Sequence, residues 1–193
     1  MEILRFLRRK SVPKVFIPDL ELPEYDNWLN FMDNGGTSEE WDILKSQNHW
    51  VFKESDTELF LRYNSEYRPI WDKYRIGMEK LQSEWSVIYN KKIYNRKRAE
   101  RYEYDCIKNI QLYKQLIAID KKYGEKSPPN VPAYKRLAML YEKQGKYEKA
   151  VTVCTDALRN GACGDGMQGR LARMIKKADR IPNKDEKVLI ENK

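Results

Sequence analysis

The stretch Pro132-Ala133-Tyr134-Lys135-Arg136-Leu137-Ala138-Met139-Leu140-Tyr141-Glu142-Lys143-Gln144-Gly145-Lys146-Tyr147-Glu148-Lys149-Ala150-Val151-Thr152-Val153-Cys154-Thr155-Asp156-Ala157-Leu158 decides how this chain folds. Pro132 suits the first turn of a helix, where its missing N–H would have had no helical partner anyway. Tyr134, Leu137, Ala138 and Tyr141 then recur on one helical face. Gly145 supplies the positive-φ residue that ends such a helix. A second helix opens near Tyr147 and turns Ala150, Val151, Cys154, Ala157 and Leu158 inward. Ala138, Ala150 and Ala157 are small where two helices cross closely. The pattern predicts an antiparallel helical hairpin that cannot bury its outer face alone.

This segment resembles one tetratricopeptide repeat, in register and without a gap. Tyr134, Leu137-Ala138, Tyr141, Gly145, Tyr147, Ala150, Cys154 and Ala157 carry the resemblance, and Gln144–Ala150 is especially like the family's turn. It departs at Cys154, where an aromatic is usual, and at Ala162, where a proline is typical, which suggests that the array ends there. The match spans residues 131–161. It implies stacked hairpins whose first helices line a concave groove that holds a segment of a protein partner. On that reading the groove-side positions are Lys135, Met139, Glu142 and Lys143. Lys135 and Lys143 resemble the basic positions with which some members grip acidic peptide ends. Met139 stands where those members often carry asparagine.

Working outward, Ile107, Ile110, Tyr113, Leu116, Ile117 and Asp120 keep helical spacing over about Tyr102–Tyr123, and Gly124 follows as a stop. In register these residues resemble the second helix of a preceding, degenerate repeat, with its partner expected within 85–104. Ser127-Pro128-Pro129-Asn130-Val131-Pro132 breaks the chain between the two. Further upstream, Trp71, Tyr74, Met78, Leu81, Trp85 and Ile88 form one apolar seam on a helix of about six turns, with Pro69 at its expected start. Downstream of the hairpin, Leu171, Met174, Ile175 and Ala178 stripe a short helix of the kind a solenoid uses as a terminal cap.

The N-terminal third is less regular. Pro13, Pro18 and Pro23 are spaced against a long helix, and Asn34-Gly35-Gly36 is turn chemistry. Trp28, Leu29, Phe31 and Met32 suit a short helical turn, and Thr37-Ser38-Glu39-Glu40 reads as a helix start with Trp41 and Leu44 inward. Residues 50–63 fit a helix or a strand equally. The expected organisation is an irregular region with short helices over 1–65, a helical tetratricopeptide-like domain over 66–181, and a charged flexible tail over 182–193. The fold class is mostly α: helical hairpins packed as a short solenoid or bundle, with a C-terminal capping helix.

Two stretches carry a different chemistry. Lys91, Lys92, Arg96, Lys97, Arg98 and Arg101 are interleaved with Tyr94 and Tyr102. Such a pattern can hold phosphates while aromatics stack on bases, or it can be the solvated face of a helix with its tyrosines turned inward. Residues 1–10 set Ile3, Leu4, Phe6 and Leu7 beside Arg5, Arg8, Arg9 and Lys10. They suit either an anionic membrane surface or a terminal turn packed on the domain.

Composition narrows the function. The chain has 193 residues, 37 Lys and Arg against 29 Asp and Glu, and a formal net charge of +8, which favours acidic partners. Cys106, Cys154 and Cys163 lack a paired spacing and suit a reducing compartment, hence the cytoplasm. His49 is the single histidine, too few for a zinc site of ordinary make-up. There is no apolar run of membrane-spanning length, no Gly-rich phosphate loop and no nucleophile elbow. The sequence therefore predicts a non-enzymatic interaction module without cofactor, metal or catalytic residues. Its expected partner is a protein or acidic peptide, with nucleic acid the alternative.

Overall fold

The computed structural model describes residues 16–164 and 166–191, so the apolar and basic stretch at 1–10 lies outside the described residues. These residues form eight α-helices and no strand: α1 Glu24–Asp33, α2 Ser38–Asn48, α3 Asp56–Asn90, α4 Lys97–Tyr123, α5 Pro132–Lys143, α6 Tyr147–Arg159, α7 Met167–Lys177 and α8 Lys184–Glu191. Two compact units divide between Arg62 and Tyr63.

The first unit is organised by aromatic rings. Trp41 of α2 packs its ring 5.7 Å from those of Phe31, Trp50 and Phe52, and Phe16 joins edge-on at 5.9 Å. Such pairs add to the burial of large apolar surfaces. α2 begins where the sequence places it. Thr37 accepts a hydrogen bond from the Glu40 amide, and the Glu40 carboxylate accepts from the Thr37 amide, a complete capping box. α1 is longer than a single turn because buried Asn27 organises its approach. Its Oδ1 accepts from the Asp19 amide at 2.8 Å, and its Nδ2 donates to the Asp19 and Pro23 carbonyls.

The second unit is a stack of antiparallel hairpins. Residues 63–90 of α3 run against α4, tied at successive levels. Tyr63 donates to Asp120 at 2.9 Å, Asn109 to the Tyr74 carbonyl at 2.9 Å and Tyr102 to the Leu81 carbonyl at 3.2 Å. The predicted seam is the core of this pair: Tyr74, Leu81, Trp85 and Ile88 are buried, with Trp71 and Met78 packed beside them. α5 and α6 form the hairpin read from the sequence, with Tyr134, Leu137, Ala138, Tyr141, Ala150, Val151, Cys154 and Ala157 all buried. Gly124 and Gly145 adopt φ of 75° and 74°, the left-handed geometry that ends α4 and turns α5 into α6. α7 closes the stack with Met167, Leu171, Met174 and Ile175 buried.

Several boundaries differ from the sequence reading, each for a local reason. Pro69 does not start α3 but lies inside it. The helix begins thirteen residues earlier, at Asp56, and Ser55 caps it by exchanging hydrogen bonds with Glu58 at 2.9 and 3.2 Å. Stacked Tyr63, Tyr67 and Trp71 carry the packing through the proline, offsetting its cost. α4 pairs with α3, not with a separate helix inside 85–104, because residues 97–104 are already the first turns of α4. Residues 184–191, expected as a loose charged tail, form α8. Asn183 caps it reciprocally with Glu186, and Arg180 grips the Glu186 carboxylate at 2.7 Å.

Charge follows the division of the chain. Residues 16–62 hold eleven Asp and Glu against three Lys and Arg, a net charge of −8. Residues 63–193 hold 29 Lys and Arg against 17 Asp and Glu, a net +12. The modest overall value conceals a strongly basic helical stack.

Candidate functional site

The four positions on α5 taken as groove-lining are largely occupied within the fold. Lys135 is half-buried and not free. Met139 is half-buried against the core, its sulfur 3.9 Å from an Arg136 guanidinium nitrogen. Glu142 accepts from Arg170 at 2.9 Å, Arg173 at 3.4 Å and Lys177 at 2.8 Å. Lys143 is exposed, with its ammonium 5.7 Å from the centre of the Tyr89 ring. Arg136 likewise lies over Trp85 and donates to Gln82. The face shared by α3, α5 and α7 is thus knitted together by its own cations. Arg170, Arg173 and Lys177 were missed in the sequence, although their i, i+3, i+7 spacing marks a basic stripe on α7.

The Glu142 cluster makes a pH-dependent prediction. Burial opposes ionisation of Glu142, yet the Lys177 hydrogen bond and the charges of Arg173, Lys177 and Arg170 hold its pKa below the ordinary 4.5. A depressed carboxylate stabilises the fold fully above its unfolded pKa and loses that contribution as pH falls through the folded value. Thermal unfolding of wild type should therefore lose stability below about pH 4.5 more steeply than Glu142→Gln. Parallel pH curves for the two proteins would show that the cluster contributes nothing.

The open concavity lies on the other side of the stack. A cavity of about 600 Å³ is lined by α4, α5, α6 and α8, with a floor of Ile110, Leu137 and Val151. Ile107, on the same helical spacing as Ile110, is 39% exposed at the cavity's edge. The rim is fixed by paired charges. Asp156 accepts from Lys114 at 2.8 Å and from the Tyr134 hydroxyl at 2.7 Å, while Arg180 joins Glu148 and Glu186. Burial, then the hydrogen bond to Asp156, pushes the Tyr134 pKa well above the ordinary range, so its hydroxyl stays a neutral donor. The Thr155 hydroxyl, which also lines the cavity, is buried without a hydrogen-bond partner among the described residues. Nothing in the sequence periodicity singles this cavity out, because its lining comes from four separate helices.

The basic residues at 91–101 gather at the α3–α4 turn. Arg98 binds Glu84 through two hydrogen bonds of 2.9 and 3.0 Å and is therefore committed to the fold. Lys91, Lys92, Arg96, Lys97 and Arg101 are exposed and make no ion pair among the described residues. Lys97 and Arg101 line a second cavity of about 530 Å³ with Lys80, Glu84 and Asp105. Tyr102 is turned inward and buried, while Tyr94 is half-buried.

Cys106 and Cys154 are buried, which pushes each thiol up to about 12 and leaves it unreactive; Cys163 is exposed. No described helix is long and apolar enough to cross a membrane. Among the described residues no group of three or more His, Cys, Asp and Glu is placed to hold a metal ion. Comparison with known protein families, curated proteins and solved structures gives no match.

Proposed function

We propose that this chain is a non-enzymatic, tetratricopeptide-like interaction module that binds a segment of a protein partner, acting in the cytoplasm. The observation that carries the reading is the 600 Å³ cavity with its apolar floor and a charged rim fixed by internal pairs, among them the Tyr134 hydroxyl donating to Asp156. An apolar anchor could fill the floor while the rim orients the flanking chain, the usual division of labour in a binding cleft. Two further features support it: the in-register resemblance of α5–α6 to a repeat, and the hairpins stacked on either side of it. On this reading the partner binds on the side of the second helices, since the first-helix positions Lys135, Met139, Glu142 and Lys143 are taken up in internal contacts or lie at the stack's end.

The test is affinity co-purification from the native host, with and without nuclease treatment. Wild type is compared with Gln111→Arg/Thr152→Arg, two exposed cavity positions, and with Lys135→Glu/Lys143→Glu on the first-helix side. The cavity pair should weaken partner capture at least about tenfold, equivalent to about 1.4 kcal/mol of binding. Loss only in the Lys135/Lys143 pair would move the site to the first helices. Release of every captured protein by nuclease would overturn the reading.

A further inference from the structure

The alternation of helices places the α3–α4, α5–α6 and α7–α8 turns at one end of the stack. Three contacts establish this. Gln144 of the second turn donates to the Tyr94 carbonyl of the first at 2.6 Å, Lys143 lies over Tyr89, and Lys177 beside the third turn lies 5.8 Å over Tyr147. Hairpin by hairpin, this end presents exposed cations: Lys91, Lys92 and Arg96 at the first turn, Lys143 and Lys146 at the second, Lys176 at the third. None of the six has an ion-pair partner among the described residues. By contrast, carboxylates that approach this end are already neutralised, Glu142 by the α7 cations and Glu148 and Glu186 by Arg180. Glu100 and Asp179 are the exposed carboxylates left nearby.

We infer that this end of the stack is a binding face for single-stranded nucleic acid, with the sugar–phosphate backbone laid across the three turns. Neighbouring hairpins pack at helix spacings of about 8–10 Å, so an extended strand meets a fresh cation at each turn. Tyr89, Tyr94 and Tyr147 stand among these cations; Tyr89 is 44% exposed, and an unstacked base can stack on it where Lys143, now over the ring, turns to a phosphate. The exposed apolar side chains of the three turns are Tyr89 and Ile181, too few for a face that inserts into lipid. The net +12 of residues 63–193 extends the attraction beyond the contact itself. This inference is independent of the cavity on the second-helix side.

The test measures binding of the full chain to a labelled, mixed-sequence single-stranded RNA of about 20 nucleotides, longer than the roughly 4–16 nucleotides one small domain covers. With at least one phosphate contact per turn, log affinity should fall against log salt with a slope of about −2 or steeper. That amounts to a weakening of about 20-fold between 50 and 200 mM. Lys91→Glu/Lys146→Glu/Lys176→Glu, one reversal per turn, should abolish that slope and reduce affinity at least about tenfold. Arg68→Glu/Lys121→Glu/Lys126→Glu, with the same net charge but exposed cations away from these turns, should bind within about threefold of wild type. Equal loss in both variants would mean diffuse attraction and would overturn the face. So would unchanged binding in the first variant, or a flat salt dependence. Binding to phosphatidylserine vesicles without binding to RNA would assign the cations to a membrane. Low-salt self-association without RNA binding would assign them to the acidic unit of a second copy.

Discussion

Replacing Trp85 by alanine should lower the stability of the helical stack by about 3–5 kcal/mol, the range for deleting a large buried aromatic. Trp85 is 4% exposed and sits where three helices meet. Its ring lies 5.7 Å from that of Tyr102 on α4 and 5.7 Å from that of Tyr89 on its own helix, and the Arg136 guanidinium of α5 covers it at 5.6 Å. Alanine would remove the apolar surface, leave a void the backbone can only partly collapse, and strip Arg136 of its cation–π partner. Urea unfolding followed by far-UV circular dichroism measures the loss. A drop below about 1 kcal/mol would mean that α3, α4 and α5 are not cooperatively joined at this point. Trp85→Phe keeps a ring in place and should recover more than half of the loss.

Trp85 also shows why the stack was legible in the sequence. Where a helix buries one face against others, the apolar positions must recur every three or four residues, and α3, α4, α5, α6 and α7 all do so. Caps and stops were readable for the same reason, since Thr37, Gly124 and Gly145 solve backbone problems that few residues solve. What periodicity could not reveal was set by tertiary contact. Pro69 reads as a helix start, yet the stacked Tyr63, Tyr67 and Trp71 hold the helix through it. Residues 184–191 read as a charged tail, yet ion pairs from Arg180 to the buried Glu186 and from Arg159 to Asp185, with Leu189 and Ile190 packed on the core, dock them. The candidate sites follow this division. A run such as Lys91–Arg101 is visible because it is contiguous, whereas the alignment of three turns into one basic end, and the cavity built from four helices, exist only once the hairpins stack. Glu142 illustrates the converse: the resemblance sets it on a groove, but three cations of α7 claim it.

Gly77→Ala should destabilise the protein by about 2 kcal/mol, although helix propensity alone predicts a gain of about 1 kcal/mol from the same change. The reversal comes from the level of the α3–α4 pair at which Gly77 faces Asn109. A Cβ at Gly77 would stand 2.5 Å from the side-chain nitrogen of Asn109, which reaches across from α4 to donate to the Tyr74 carbonyl at 2.9 Å. Asn109 is 2% exposed, and its Oδ1 has no hydrogen-bond partner among the described residues. The added methyl would force the amide off its one acceptor, leaving donor and acceptor both buried and unsatisfied, at about 1–3 kcal/mol for each group. Asn109 is hemmed between two helices, so rotating the amide away gains it no new partner. The double variant Gly77→Ala/Asn109→Ala removes the clash and the stranded amide together, and it should be more stable than Gly77→Ala alone. Denaturant midpoints of wild type and the two variants decide the matter. A Gly77→Ala protein more stable than wild type would show that α3 and α4 slide apart at this level without penalty, and that Asn109 does not fix their register.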